Sequence, residues 1–241
     1  MSRYNRHSTV APYLRKVRRH KSPYLIDVRG IPIWVLPRVM SPKYDWTSGF
    51  TLDVLPSQAR KRVLEIGSGC GVLACACALD GATEVVATDI SPIAVENTLL
   101  NLCLLGQSKR TTVIQSDVFA NVTGRYDTVI FAAPYHGTKP RSWLEYGVSD
   151  SRYRALRSFL TRARGFLRPR GRIYLGFSDV GDEALLNRLL RQARLVRRAL
   201  WQRRAHGFTA MLIELSPSSY AQKPNSPCTG PSLLRSYRSA V

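Results

Sequence analysis

Val63-Leu64-Glu65-Ile66-Gly67-Ser68-Gly69-Cys70-Gly71 reads as a buried strand that runs straight into a glycine turn, with a helix starting at about Val72. An apolar run followed by Gly67, Gly69 and Gly71 lets backbone N–H groups approach a ligand that any Cβ would push away. The N-terminal end of the following helix points at the same spot. Such a turn suits a nucleotide-like cofactor. A dinucleotide fingerprint, G-x-G-x-x-G, would need its third glycine at position 72, where Val72 stands, so the spacing disfavours a nicotinamide oxidoreductase.

Two further strand-like runs end in a carboxylate. Glu84 to Asp89 places an acidic group 18 residues beyond Gly71, and Thr111 to Gln115 leads into Ser116-Asp117-Val118-Phe119. A carboxylate at the second strand tip can accept hydrogen bonds from both hydroxyls of a ribose. Read in isolation, Asp89 is also a candidate N-cap, although Ser91 before Pro92 already fills that position. Asp117 followed by apolar residues is, by itself, equally a turn Asp leading into core. A fourth run, Tyr126 to Phe131, continues as Ala132-Ala133-Pro134-Tyr135-His136-Gly137.

The G-x-G-x-G turn preceded by Glu65, the run from Asp89 to Val95, and the fourth run together resemble class I S-adenosylmethionine-dependent methyltransferases. The block from about Tyr24 to Leu215 is similar to the small-domain branch, which includes release-factor glutamine methyltransferases and ribosomal guanine methyltransferases. That resemblance implies S-adenosyl-L-methionine as cofactor, bound by Glu65, Gly67, Ser68, Gly69, Gly71, Asp89, Ile90, Asp117 and Val118. In it Asp117 contacts the adenine amino group, and Val118 or Phe119 covers the ring. Tyr24 to Val35 sits where the family has a hairpin, and Ser41 to Thr47 where it has a cofactor-capping segment, with Asp45 and Trp46 closing over the ligand. The fourth run corresponds to the Asn-Pro-Pro-Tyr motif, whose Asn accepts a hydrogen bond from the target nitrogen. Here Ala132 and Ala133 replace Asn and the first Pro. Pro134, Tyr135 and Trp46 are the candidate substrate contacts, and Tyr135 and His136 the candidate acid–base groups. Tyr135 reads equally as a pocket wall, His136 as a solvent-facing loop residue, and Asp45 and Trp46 as packed or surface residues.

At 241 residues and 44% apolar content, the chain can bury one α/β core. No apolar stretch has membrane-span length, and the N-terminus lacks a secretory apolar core, which places the expectation in the cytoplasm, with no membrane partner. The five cysteines form no CxxC pair and have no histidines at ligand spacing, so no metal is expected. The net charge of +20 is uneven: residues 1–60 carry 11 basic and 3 acidic side chains, 61–150 carry 7 and 9, and 151–215 carry 15 and 4. Basic flanks around a slightly acidic cofactor half suit an anionic substrate or RNA. Arg outnumbers Lys 29 to 7, so composition bias explains the charge equally well, and no RNA-binding module is visible.

Four units are expected: a flexible basic arm over 1–22, a hairpin and capping segment over 23–60, the methyltransferase domain over 61–215, and a disordered tail over 216–241. Helices are expected from Val72 to Leu79, Pro92 to Leu105, Ser151 to just before Pro169, and Asp182 to Arg194. The third carries Arg154, Arg157 and Arg168 on a solvated face. A fifth strand over 171–177 and a closing hairpin, 196–203 with 208–215, complete a doubly wound, Rossmann-like α/β fold. The resemblance makes this a seven-stranded, mostly parallel sheet with an antiparallel C-terminal strand. The function expected is methyl transfer to an unidentified acceptor, a specialised small molecule or a peptide before RNA. The competing reading is a catalytically silent S-adenosylmethionine-binding partner protein. The oligomeric state is not legible.

Overall fold

The computed structural model describes residues 10–220. Its centre is a seven-stranded sheet built from β3 (Arg62–Ile66), β4 (Glu84–Asp89), β5 (Thr111–Gln115), β6 (Tyr126–Ala132), β7 (Leu167–Ser178), β8 (Leu195–Ala205) and β9 (Phe208–Pro217). The strand order is β5-β4-β3-β6-β7-β9-β8. The five strands from β5 to β7 are parallel, while β9 runs antiparallel to both β7 and β8. The chain winds outward from β3 through β4 to β5, then returns to β6 on the other side of β3. That reversal between β3 and β6 opens a crevice at the carboxyl ends of the strands.

Burial on both faces explains the near-continuous apolar strands. One face packs against α3 (Val72–Leu79), α4 (Pro92–Leu104) and an antiparallel hairpin, β1 (Tyr24–Val28) with β2 (Ile31–Val35). The other packs against α6 (Arg154–Arg162) and α7 (Glu183–Gln192). The hairpin is fastened to α4 by two buried amides one helical turn apart. Asn101 Oδ1 accepts from the Trp34 N–H at 2.8 Å and Asn97 Oδ1 from the Leu36 N–H at 2.8 Å, while both side-chain amides donate to the Trp34 carbonyl.

Three expectations are corrected. Within the basic arm, residues 10–18 form a helix, α1 (Val10–Arg18), rather than a flexible tail. Leu14 and Val17 are buried against Leu144 and Val148, and Arg18 pairs with Glu145 at 2.7 Å. Residues 1–9 lie outside the described residues, as does the expected tail from 221 onward; β9 itself runs to Pro217, past the boundary expected at 215. The third helix is shorter than its apolar period suggests, because Arg152 and Tyr153 adopt left-handed backbone (φ 52° and 57°) and a 3-10 turn follows Arg162. Asp150 sets its start by accepting the N–H groups of Ala155 and Leu156 at 3.0 Å each. None of the helices among the described residues is long and apolar enough to cross a membrane.

Candidate active site

A cavity of about 920 Å³ occupies the crevice at the strand ends. Strand register assembles its floor: Ile66 sits beside Thr88 on one side and Phe131 on the other, Asp89 beside Gln115, and Ala132 beside Gly176. The expected cofactor residues from Glu65 to Gly69, with Asp89, Ile90, Asp117 and Val118, all line this one space. So do Trp46, Pro134, Tyr135 and His136, so the sheet gathers both sets of candidate residues.

The glycine turn divides its labour. Gly69 is left-handed (φ 58°), and a Cβ there would meet no protein atom within 4 Å, so the space above it is open to a ligand. Gly71 is also left-handed (φ 85°), but a Cβ there would come 3.0 Å from Thr98 in α4. Gly71 therefore serves close helix packing rather than ligand approach, and it is absent from the cavity wall. Ser68 is similarly committed: its hydroxyl exchanges a 2.9 Å hydrogen bond with Thr98 Oγ1.

Asp89 ties the turn to the second strand. Its carboxylate accepts the Gly69 N–H and the Ser91 N–H, both at 2.9 Å, leaving lone pairs toward the cavity. Burial raises its pKa against these bonds. Ser91 occupies the N-cap position of α4 without a side-chain capping bond. Glu65 is buried, and its Oε2 has no hydrogen-bond partner among the described residues. Desolvation holds its pKa well above the ordinary carboxylate range. A buried carboxylate oxygen without a donor fits a ligand that brings one, such as the ammonium group of S-adenosylmethionine. The open space at Gly69 fits the same ligand.

On the adenine side the structure separates the two candidates for covering the ring. Val118 lines the cavity, whereas Phe119 is fully buried and stacks on Phe159 and Phe166, with ring centroids 5.6 and 4.3 Å away. Asp117 is held by a bidentate pair with Arg154, at 2.8 and 3.1 Å. Arg154 is exposed, as expected, and also belongs to the rim of the cavity.

At the opposite end, Ala132 is exposed to the cavity and presents only a methyl group where the family motif has an amide. Tyr135 is half-buried; its hydroxyl makes no hydrogen bond among the described residues, and burial, reinforced by the charge of Asp45, raises its pKa far above the ordinary value. His136 is buried rather than solvent-facing. Its backbone bonds Val148 at 3.2 Å and Asp150 at 2.8 Å, which pins the loop to the segment before α6. Three walls were not read from the sequence. Tyr13 of α1 reaches in, its hydroxyl accepting the Ser41 N–H at 2.8 Å, and His206 and Phe208 return from the β8–β9 turn to pack beside Trp46. The basic run around Tyr13 and the His206-Gly207 turn carry no local signal for a pocket.

The chain matches the family described as "Methyltransferase small domain" over residues 31–200. A putative protein N5-glutamine methyltransferase from Methanocaldococcus jannaschii is 33% identical over 177 residues, covering 68% of this chain and 85% of the relative. A ribosomal RNA small subunit methyltransferase C from Mannheimia succiniciproducens is 31% identical over 175 residues, and the chain spans only 47% of that relative's length. Among solved structures, the T. thermophilus 16S rRNA methyltransferase in complex with AdoMet and guanosine superposes with a TM-score of 0.59 at 22% identity. That match covers 80% of this chain and 50% of that one, and shows a shared fold. The glycine turn, the acidic strand tips and these matches agree: the chain belongs to the methyltransferase small domain family and is an S-adenosylmethionine-dependent methyltransferase with a Rossmann-like sheet.

Proposed function

We propose that the chain transfers the methyl group to a small-molecule or peptide acceptor that enters beside Ala132, with Pro134, Tyr135 and Trp46 forming the acceptor wall. Bound S-adenosylmethionine supplies an activated methyl group on a sulfonium. The protein's task is to hold a nucleophile in line with it and to exclude water. Glu65, Gly67, Gly69, Asp89, Asp117 and Val118 are positioned to seat the cofactor, and Ser68 and Gly71 to shape the turn. Tyr135 faces the cavity without a hydrogen bond, and we assign it to the wall, with His136 as a second candidate for proton transfer.

The observation that carries this reading is Ala132. The M. jannaschii relative is named for glutamine, and an amide nitrogen needs an oriented hydrogen-bond acceptor at this strand tip. A methyl group there offers none, so the acceptor is of another kind than the relatives' names suggest. RNA remains the second class, supported by the relatives named for ribosomal RNA and by the basic flanks. Incubating the protein with methyl-labelled S-adenosylmethionine and fractionated cell extract tests the reading: label should enter small molecules or protein. Label in RNA reverses the order of the two classes. Cofactor binding with no label in any fraction supports a silent binding protein instead.

A further inference from the structure

Five carboxylates line the cavity, and four have an evident use. Glu65 and Asp89 face the cofactor turn, Asp117 is paired with Arg154, and Asp150 caps α6. Asp45 is met only by neutral donors of its own segment: its oxygens accept the Thr47 N–H at 3.1 Å and the Thr47 hydroxyl at 2.8 and 2.7 Å, and the Ser48 side chain bonds it as well. Among the described residues no Lys or Arg forms an ion pair with it, in a chain with 36 basic and 16 acidic residues. Asp45 is partly buried, and a carboxylate partly withdrawn from water is ordinarily met by a cation. Asp45 lines the same cavity as Cys70 of the glycine turn and Tyr135 of the acceptor wall. Burial raises its own pKa.

The same end of the cavity is aromatic. Phe208 lies between Trp46 and Tyr135, with ring centroids 5.2 and 6.4 Å away, and all three rings line the space with Asp45. Aromatic faces beside an unpaired carboxylate form a subsite for an organic cation, since both attract positive charge. Of the three lysines lining the cavity, Lys16 sits over the Tyr44 ring at 5.9 Å and Lys43 over Tyr24 and Tyr44 at 5.7 Å, and Lys139 forms no ion pair with Asp45. Ala132 adds no hydrogen-bonding group that a planar amide would need.

We propose that the acceptor is an aliphatic amine, held as its ammonium ion by Asp45 between Trp46, Tyr135 and Phe208, and that Asp45 takes its proton before methyl transfer. The assignment rests on the acceptor site of the proposed function. The ammonium N–H bond gives its proton to the Asp45 carboxylate, and the freed lone pair forms the new N–CH3 bond. The S–CH3 bond breaks with its electron pair going to sulfur, leaving a neutral thioether and a methylammonium product. Asp45 then releases the proton to water. Amine and cofactor therefore yield methylamine, S-adenosylhomocysteine and one proton.

Two measurements on the full chain test this. In calorimetry with S-adenosylhomocysteine bound, n-butylammonium should bind at least tenfold more tightly than 1-butanol. Asp45→Asn, titrated with S-adenosylhomocysteine at saturation, should remove that preference. Equal binding of the two probes, or an undiminished preference in Asp45→Asn, overturns the amine assignment. In the extract assay, mild acylation of primary amines before incubation should abolish labelling; labelling that survives overturns it as well. Failure of S-adenosylhomocysteine to bind the wild-type protein refutes the cofactor site beneath the proposal, a different result from loss of butylammonium binding alone.

Discussion

Asp89 and Glu65 sit a few ångströms from the same glycine turn and have opposite relations to their surroundings. Asp89 is supplied with two backbone donors, and its remaining lone pairs suit ribose hydroxyls. Hydrogen bonds to a charged group contribute about 1.5–3 kcal/mol each. Asp89→Ala should therefore weaken S-adenosylmethionine binding by roughly tenfold or more; unchanged affinity in calorimetry would remove the ribose assignment. Glu65 is desolvated by burial, which outweighs its one backbone hydrogen bond from Ala74, and its Oε2 has no partner among the described residues, so its folded pKa lies well above the ordinary 4.5. A raised folded pKa means its contribution to stability is full below about pH 4.5 and is lost as pH rises toward the folded value. Glu65→Gln escapes that loss. The melting temperature of the ligand-free variant relative to wild type should climb from pH 4.5 to 8, and a flat difference would show that Glu65 is not desolvated. Both carboxylates were legible in the sequence, because strand tips and spacing placed them. The contrast between them was not, since it depends on which backbone N–H groups reach each one.

At the scale of the element, the junctions around β3 and before α7 show how local chemistry and packing divide the work. Asp182 was legible as the start of a helix, and its carboxylate accepts the Leu185 N–H at 2.8 Å. Asp182→Ala should cost about 1 kcal/mol and lower the melting temperature by roughly 2–4 °C. Gly71 was legible as a glycine-turn residue, yet its necessity comes from α4. Gly71→Ala combines a left-handed residue with a Cβ 3.0 Å from Thr98, and should destabilise the fold by about 2 kcal/mol or more, read by denaturant unfolding. A change below about 0.5 kcal/mol would show that α4 moves aside freely. The helix expected from Ser151 to Pro169 was misjudged for the same kind of reason. Its apolar period is real, but Tyr153 turns left-handed so that its hydroxyl can donate to the Tyr135 carbonyl at 3.0 Å and accept the Asp182 N–H at 3.0 Å. No periodicity encodes a contact between segments that distant in the chain.

Over the whole molecule, the cysteines report how completely the sheet and its helices exclude solvent. Cys70, Cys75 and Cys77 are buried, burial pushes Cys70 up to about 12 and raises Cys75 and Cys77 far above the ordinary thiol value, and Cys103 is exposed on α4. Since the thiolate is the reactive form, iodoacetamide at pH 8 should modify Cys103 in the native protein and leave Cys70, Cys75 and Cys77 untouched until denaturant is added. Peptide mapping that finds Cys75 or Cys77 labelled natively would contradict the packing of α3. The sequence by itself determined the α/β class and the glycine turn flanked by acidic strand ends, because apolar period, glycine spacing and strand-end carboxylates are local properties of the chain. Only the tertiary structure decided that α1 lines the cavity, that Arg154 engages Asp117, and that Phe208 returns from the last hairpin to stand beside Trp46. Those relations join residues separated by long stretches of chain, and the sheet's register, not any local pattern, brings them within reach. The glycine turn from Gly67 to Gly71 was written in the sequence; that no Lys or Arg among the described residues pairs with Asp45 became visible only in three dimensions.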